Sequence, residues 1–112
     1  MEKFKEIIDT YLLNYSTYQK DKVIFECDYG ELIFIKDKPE ICILHGIFIF
    51  PQYRNKGLCR DILRYLIDNC PNNFKYICVE SVISNILYEY LLRFEYKNKK
   101  FKLIKSGFLY KI

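Results

Sequence analysis

Ile47-Phe48-Ile49-Phe50-Pro51-Gln52-Tyr53-Arg54-Asn55-Lys56-Gly57-Leu58-Cys59-Arg60 carries an apolar run into a basic loop with one glycine, then into a helical pattern. The apolar run starts earlier. Residues 40–50 are apolar on both alternating sets, with Ile41, Ile43, Ile47 and Ile49 on one and Cys42, Leu44, Phe48 and Phe50 on the other. A strand covered on both faces lies in the middle of its sheet. Beyond the loop, Leu58, Cys59, Ile62, Leu63, Leu66, Ile67 and Cys70 repeat at helical spacing until Pro71-Asn72-Asn73 ends the pattern. The amides of a helix's first turn have no internal partner and the helix dipole adds partial positive charge there, so an anion is welcome at that end. Gly57 admits backbone angles closed to other residues and keeps a side chain out of the way, so successive amides can form a nest. Cys59 is small enough for close approach, and Arg54, Lys56 and Arg60 add charge where phosphates would sit. A P-loop string, G-x-x-x-x-G-K-S/T, is absent, and only one of the three glycines of a dinucleotide fingerprint is present. The stretch reads as a pyrophosphate cradle between a central strand and a helix.

Working outward, Phe4, Ile7, Ile8, Tyr11, Leu12 and Tyr15 make one face of an amphipathic helix, with Lys3, Lys5, Glu6, Asp9 and Asn14 on the other. Residues 22–29 and 31–36 are short β-rich runs broken at Gly30, which predicts an antiparallel pair, and Lys36-Asp37-Lys38-Pro39 marks the next turn. Downstream, residues 74–82 read as a strand, and Ser84 can cap a helix through Leu87, Tyr88, Leu91 and Leu92. Residues 101–112, with a turn at Ser106-Gly107, read as a closing hairpin. The order α, β, β, β, α, β, α, β, β predicts an α/β (α+β) domain with one mixed, mostly antiparallel sheet and helices on both faces.

A chain of 112 residues is expected to be one domain, since two halves would each be too small to bury a core. No apolar run approaches the ~20 residues that span a bilayer, and acids among the first six residues do not suit a signal peptide. A cytoplasmic protein without membrane contact is expected. The five cysteines, Cys27, Cys42, Cys59, Cys70 and Cys78, are odd in number and lack C-x-x-C spacing, which reads as reduced, mostly buried thiols. A net charge of +4 suits an anionic ligand, and without a nucleic-acid-binding string it gives no reason to expect nucleic acid. A chain with no Ala and no Trp that is rich in Ile, Lys, Asn, Tyr and Phe is what AT-rich codons produce, as in viral or low-GC bacterial genes.

The loop and helix start resemble motif A of the GNAT N-acetyltransferase superfamily, Q/R-x-x-G-x-G/A, which stands here as Arg54-Asn55-Lys56-Gly57-Leu58-Cys59, preceded by an apolar strand and Pro51-Gln52-Tyr53. Residues 79–96, a strand giving way to an Asn-led helix with the Leu87-Tyr88 pair, resemble motif B. The resemblance covers residues 41–112. It departs from the family at Cys59, at the motif B glycine, whose place falls at Arg93 or Glu95, and in having one helix before the early strands instead of two.

The resemblance implies the acyl-CoA N-acyltransferase (GNAT) fold and transfer of an acetyl group from acetyl-CoA to an amine of a small molecule or protein by direct attack, without a metal. It implies that the amides of Asn55, Lys56, Gly57, Leu58 and Cys59 bind the pyrophosphate, with Arg54 and Arg60 beside them. The main chain of Ile47, Phe48 and Ile49 would pair with the pantetheine where family members splay the sheet, the Ile49 amide would polarise the thioester carbonyl, and Asn85 would contact the pantetheine or cap its helix. Tyr88, with Tyr90 in reserve, would protonate the leaving thiolate. His45, the only histidine, stands on the strand where the family places its base; Glu80 and Glu26 are the alternative carboxylates. Alternation places His45 on one face with Ile47 and Ile49 unless a bulge intervenes. Cys42, Cys59 and Cys78 raise an acyl-cysteine route for which no partner base is evident. The short front end leaves room for a homodimer that completes the acceptor site. A non-catalytic CoA-binding or protein-interaction module on the same fold is the alternative function.

Overall fold

In the computed structural model, which describes residues 1–18, 22–71, 74–80, 101–104 and 107–111, the apolar stripe of Phe4, Ile8, Tyr11 and Leu12 is the buried side of helix α1 (Glu2–Leu13). A short 3₁₀ turn, Tyr15–Thr17, follows. The Lys36 ammonium donates to the carbonyls of Tyr15 at 3.0 Å and Tyr18 at 2.7 Å, and so ties this turn to the sheet. Tyr11 stacks on Phe34 with ring centroids 4.0 Å apart, and Tyr15 meets Phe74 edge-on at 4.7 Å. Phe4, Tyr11, Tyr15, Phe34 and Phe74 supply the aromatic part of this core.

Among the described residues, six strands form one sheet in the order β1-β2-β3-β4-β6-β5. They are β1 (Lys22–Cys27), β2 (Gly30–Ile35), β3 (Ile41–Ile49), β4 (Tyr76–Glu80), β5 (Phe101–Ile104) and β6 (Gly107–Lys111). Every neighbouring pair is antiparallel except β3 and β4. That parallel pair is joined through helix α2 (Leu58–Asn69), the crossover such a pair requires. The predicted mixed, mostly antiparallel sheet and its closing hairpin are therefore present. Ile62, Leu63 and Leu66 of α2 join the α1 stripe in one buried cluster with Leu32, Phe34, Cys42, Leu44, Ile49, Ile77 and Val79 of the sheet. Both described helices thus cover the same face. The predicted helix from Ser84, which carries the expectation of a covered second face, lies outside the described residues.

Two local expectations are corrected. Gly30 is not the turn between β1 and β2; it is the first residue of β2 and pairs with Cys27, leaving Asp28 and Tyr29 as the turn. Glycine is needed there for contact: a Cβ on Gly30 would overlap the carbonyl oxygen of Phe48 on the neighbouring strand. The alternation of β3 is also not continuous. Ile33 pairs with Gly46 and the next residue, Phe34, pairs with Leu44, so His45 is the extra residue of a β-bulge. Cys42 and Leu44 face the helices before the bulge, and Ile47 and Ile49 face them after it. His45 therefore lies on the opposite face from Ile47 and Ile49.

Candidate active site

The parallel pairing of β3 with β4 runs from Ile41 opposite Tyr76 to Leu44 opposite Val79 and stops there, although β3 continues to Ile49. On its other side β3 keeps pairing with β2 up to Ile49 opposite Gly30. Phe50 N–H donates to the Tyr29 carbonyl at 3.0 Å. Because successive peptide groups in a strand point to opposite sides, the polar groups of Phe48 are directed toward β2, and those of Ile47 and Ile49 away from it. Among the described residues no strand pairs with that side of residues 45–49. The result is a gap that opens from the bulge toward the end of β3, lined by backbone donors and acceptors as an unpaired strand edge is.

The gap ends at the start of α2. Pro51–Tyr53 forms a 3₁₀ turn, after which Asn55 at φ 65° and Gly57 at φ 76° both take left-handed angles. Gly57 is the N-cap residue, no side chain caps the helix, and the first intrahelical bond is Asp61 N–H to Gly57 C=O at 3.0 Å. The amides of Leu58, Cys59 and Arg60 precede that bond, so they are the orphan donors of the first turn. The left-handed Gly57 is what lets the chain enter the helix with those amides leading. A Cβ there would stand 2.7 Å from an Arg60 guanidinium nitrogen, the end of an exposed side chain that can swing aside, so the left-handed angle is the stronger demand for glycine.

The cations of the loop are not equivalent. Arg54 folds back along the strand: its Nε donates to the Ile49 carbonyl at 2.8 Å and its guanidinium lies 5.4 Å from the ring centroid of Phe48. It fixes the end of β3. The Lys56 ammonium lies 6.0 Å from the ring centroid of Tyr53, and Arg60 Nε lies 3.5 Å from the Asp61 carboxylate at the protein surface. Phe48, 45% exposed on the face opposite the helices, is one of the large apolar side chains left in water.

At the closed end of the gap, His45 Nδ1 lies 3.3 Å from Glu80 Oε2. Both side chains are partly shielded, 33% and 24% exposed. The parallel register brings them together, since Leu44 opposite Val79 puts the next residue of each strand side by side. Glu26, the other carboxylate considered, stands exposed on the edge strand β1, two strands from β3. Tyr88, Tyr90 and Asn85 lie outside the described residues. The His45–Glu80 pair and the grip of Arg54 on Ile49 were not anticipated from sequence; the parallel register that creates the first has no mark in either strand alone.

The three thiols that could have carried an acyl group are held neutral. Donation of its S–H to Cys70, together with burial, pushes the Cys42 thiol well up, burial raises Cys59 against the opposing pull of Arg54, and burial with the Glu80 charge pushes Cys78 up to about 11. Thiols kept from ionising are poor nucleophiles.

No family model matches the sequence, and no curated protein matches it. Solved structures do. A GNAT family acetyltransferase from Elizabethkingia anophelis with acetyl-CoA bound superposes with a TM-score of 0.54 over 96% of this chain and 83% of that one, at 14% identity. A protein from Exiguobacterium sp. 255-15 provisionally named an acetyltransferase gives a TM-score of 0.54 over 93% of this chain and 74% of that one, at 13% identity. At such identities the likeness is one of architecture: the chain has the fold of the GNAT acetyltransferases.

Proposed function

We propose that the chain binds acetyl-CoA and transfers its acetyl group to an amine. The observation that carries this reading is the gap beside Ile47 and Ile49 running into the uncapped start of α2. An extended amide-bearing arm can hydrogen-bond along the first, and a pyrophosphate can accept from the orphan amides of the second. The occurrence of bound acetyl-CoA in the neighbour from Elizabethkingia anophelis supports the same reading.

In this account the pyrophosphate rests on the amides of Asn55 through Cys59 with Lys56 and Arg60 at its flank, and the pantetheine extends along β3 toward the bulge. Of the two gap-facing amides, Ile47 lies nearer His45 and is better placed than Ile49 to polarise the thioester carbonyl. An amine with a pKa near ~10.4, like that of lysine, is almost wholly protonated at neutral pH and cannot attack until it loses a proton. His45 takes that proton. The free amine attacks the carbonyl carbon, the new C–N bond forms as the C–S bond breaks, the coenzyme leaves as a thiolate that Tyr88 or Tyr90 protonates, and the proton that the new amide nitrogen gives up returns through solvent to the tyrosinate. Direct attack is favoured over an acyl-cysteine because the thiols nearby are held neutral.

The test is release of free thiol from acetyl-CoA in the presence of an amine panel comprising a polyamine, an aminoglycoside and peptides with a free N-terminus or lysine. Thiol release that depends on one amine class, with mass spectrometry showing the acetylated amine, is the expected result. Binding of acetyl-CoA without thiol release for any amine would leave a CoA-binding module in place of an enzyme.

A further inference from the structure

We propose that Glu80 is a positioning residue for His45. It holds the imidazole in the tautomer with the proton on Nδ1, so that the lone pair on Nε2 is the one that receives the ammonium proton. The inference rests on His45 being the base of the proposed reaction, and it assigns to Glu80 a role distinct from base catalysis.

The geometry carries it. An ionised carboxylate can only accept hydrogen bonds, so across the 3.3 Å contact Nδ1 must be the donor. With Nδ1 protonated, a neutral imidazole has its acceptor site on Nε2. The position of the pair is equally specific. Parallel pairing ends at Leu44 and Val79, and the next residue on each strand is a member of the pair, so the contact spans the two strands at the apex of the gap. His45 is the unpaired residue of the bulge, and a bulge re-aims a side chain and frees it from the ladder. Gly46, next to it, has no side chain because Ile33 occupies that place: a Cβ there would stand 3.2 Å from Ile33 Cδ1. A histidine released from the ladder needs another restraint to hold one orientation, and Glu80 supplies it. On β1, β2 and β4 the other titratable side chains directed to this face are Cys78 and Tyr76 on β4, Glu31 on β2, and Lys22 and Glu26 on β1, and the register of β6 and β5 sets positions 111 and 102 on the same side.

After proton transfer from the ammonium to Nε2, the imidazolium keeps Nδ1–H on Glu80 and returns the Nε2 proton to solvent; Glu80 is never protonated. A carboxylate that orients the base in this way contributes on the order of 10- to 100-fold to turnover.

The experiment uses the intact chain and its single histidine, whose imidazole ¹⁵N resonances cannot be confused with another. In wild type above the imidazole titration, the ¹⁵N spectrum should show Nδ1 protonated and Nε2 bare. Glu80→Ala should move the population toward the Nε2–H form, lower kcat about 10- to 100-fold, leave the KM for acetyl-CoA within about twofold, and keep the acidic limb of the pH–rate profile, because the base is still there. His45→Gln should abolish that limb, and the double variant should be no slower than His45→Gln alone, as expected of residues acting in series. Retention of the Nδ1–H tautomer in Glu80→Ala, or a pH limb lost in Glu80→Ala and kept in His45→Gln, would overturn the proposal, the second by making Glu80 the base. A tautomer that switches in Glu80→Ala while His45→Gln turns over at the wild-type rate would uphold the positioning and remove His45 from the proposed mechanism.

Discussion

The two halves of β3 are both apolar in sequence and have opposite surroundings. Residues 41–44 all pair with β4, Ile43 and Leu44 pair with β2 as well, and Leu44 is 1% exposed beneath the helices. Among the described residues, 47–49 are paired with β2 alone, and Phe48 in their midst is 45% exposed. One bulge at His45 separates them. The first half behaves as the interior of a sheet, flanked by a strand on each side at Ile43 and Leu44 and with Cys42, Ile43 and Leu44 buried. The second behaves as a sheet edge inside the molecule, and a buried or half-buried edge is an invitation to another strand-like partner. What the contrast teaches is that the site is made by withholding a neighbour from a central strand; no conspicuous set of reactive side chains is required to create it.

If the halves differ as described, substitutions should separate them. Leu44→Ala leaves a cavity in a place closed on all sides and should cost about 2–5 kcal/mol in denaturant unfolding; a loss below about 1 kcal/mol would mean that the first half is not packed as seen. Next in size is the alkaline response of the closed half. Cys78, opposite Ile43, has its thiol pushed up by burial from 9.0 to about 11. Its neutral form is thus favoured by the native state, so its contribution is complete below pH 9 and is lost as pH rises toward 11. Stability measured across that window should fall, and Cys78→Ala should flatten the fall; an equal slope in the variant would assign it to other groups. Smallest is Phe48→Ala in the open half, expected within about 0.5 kcal/mol of wild type because the ring has little packing to lose. A cost as large as that of Leu44→Ala would show that the two halves are equally closed.

Much of this organisation was legible in the sequence, and the parts that were not share a cause. The helical stripe from Phe4, the doubly apolar strand and the single glycine of the basic loop are periodicities and local conformational demands, which depend on residues near one another in the chain. The left-handed angle of Gly57 is the same kind of local fact. The bulge at His45 was not legible, because it arises from the register between β2 and β3, and Gly46 closes up on Ile33, thirteen residues earlier in the chain, as a result of that register. Alternation sets His45 on the face of Ile47 and Ile49 unless a bulge intervenes, and the register supplies that bulge. The role of Gly30 was misread in the same way: the contact that demands glycine is with Phe48 across the ladder. Arg54 was expected among the phosphate cations, and the carbonyl of Ile49 claims its Nε.

The central claim is that the open half of β3 and the start of α2 form one site for acetyl-CoA, and calorimetric titration of acetyl-CoA into wild type and a folded Gly57→Glu variant tests it most directly. The substitution adds a side chain where Gly57 holds φ 76° and where a Cβ would stand 2.7 Å from Arg60, and it sets a negative charge at the helix start that is to receive a pyrophosphate. The account predicts binding to the wild type and none to the variant, with circular dichroism showing that the variant has kept its fold. Equal affinity in the two proteins would place acetyl-CoA elsewhere, and no binding to the wild type would contradict the account itself.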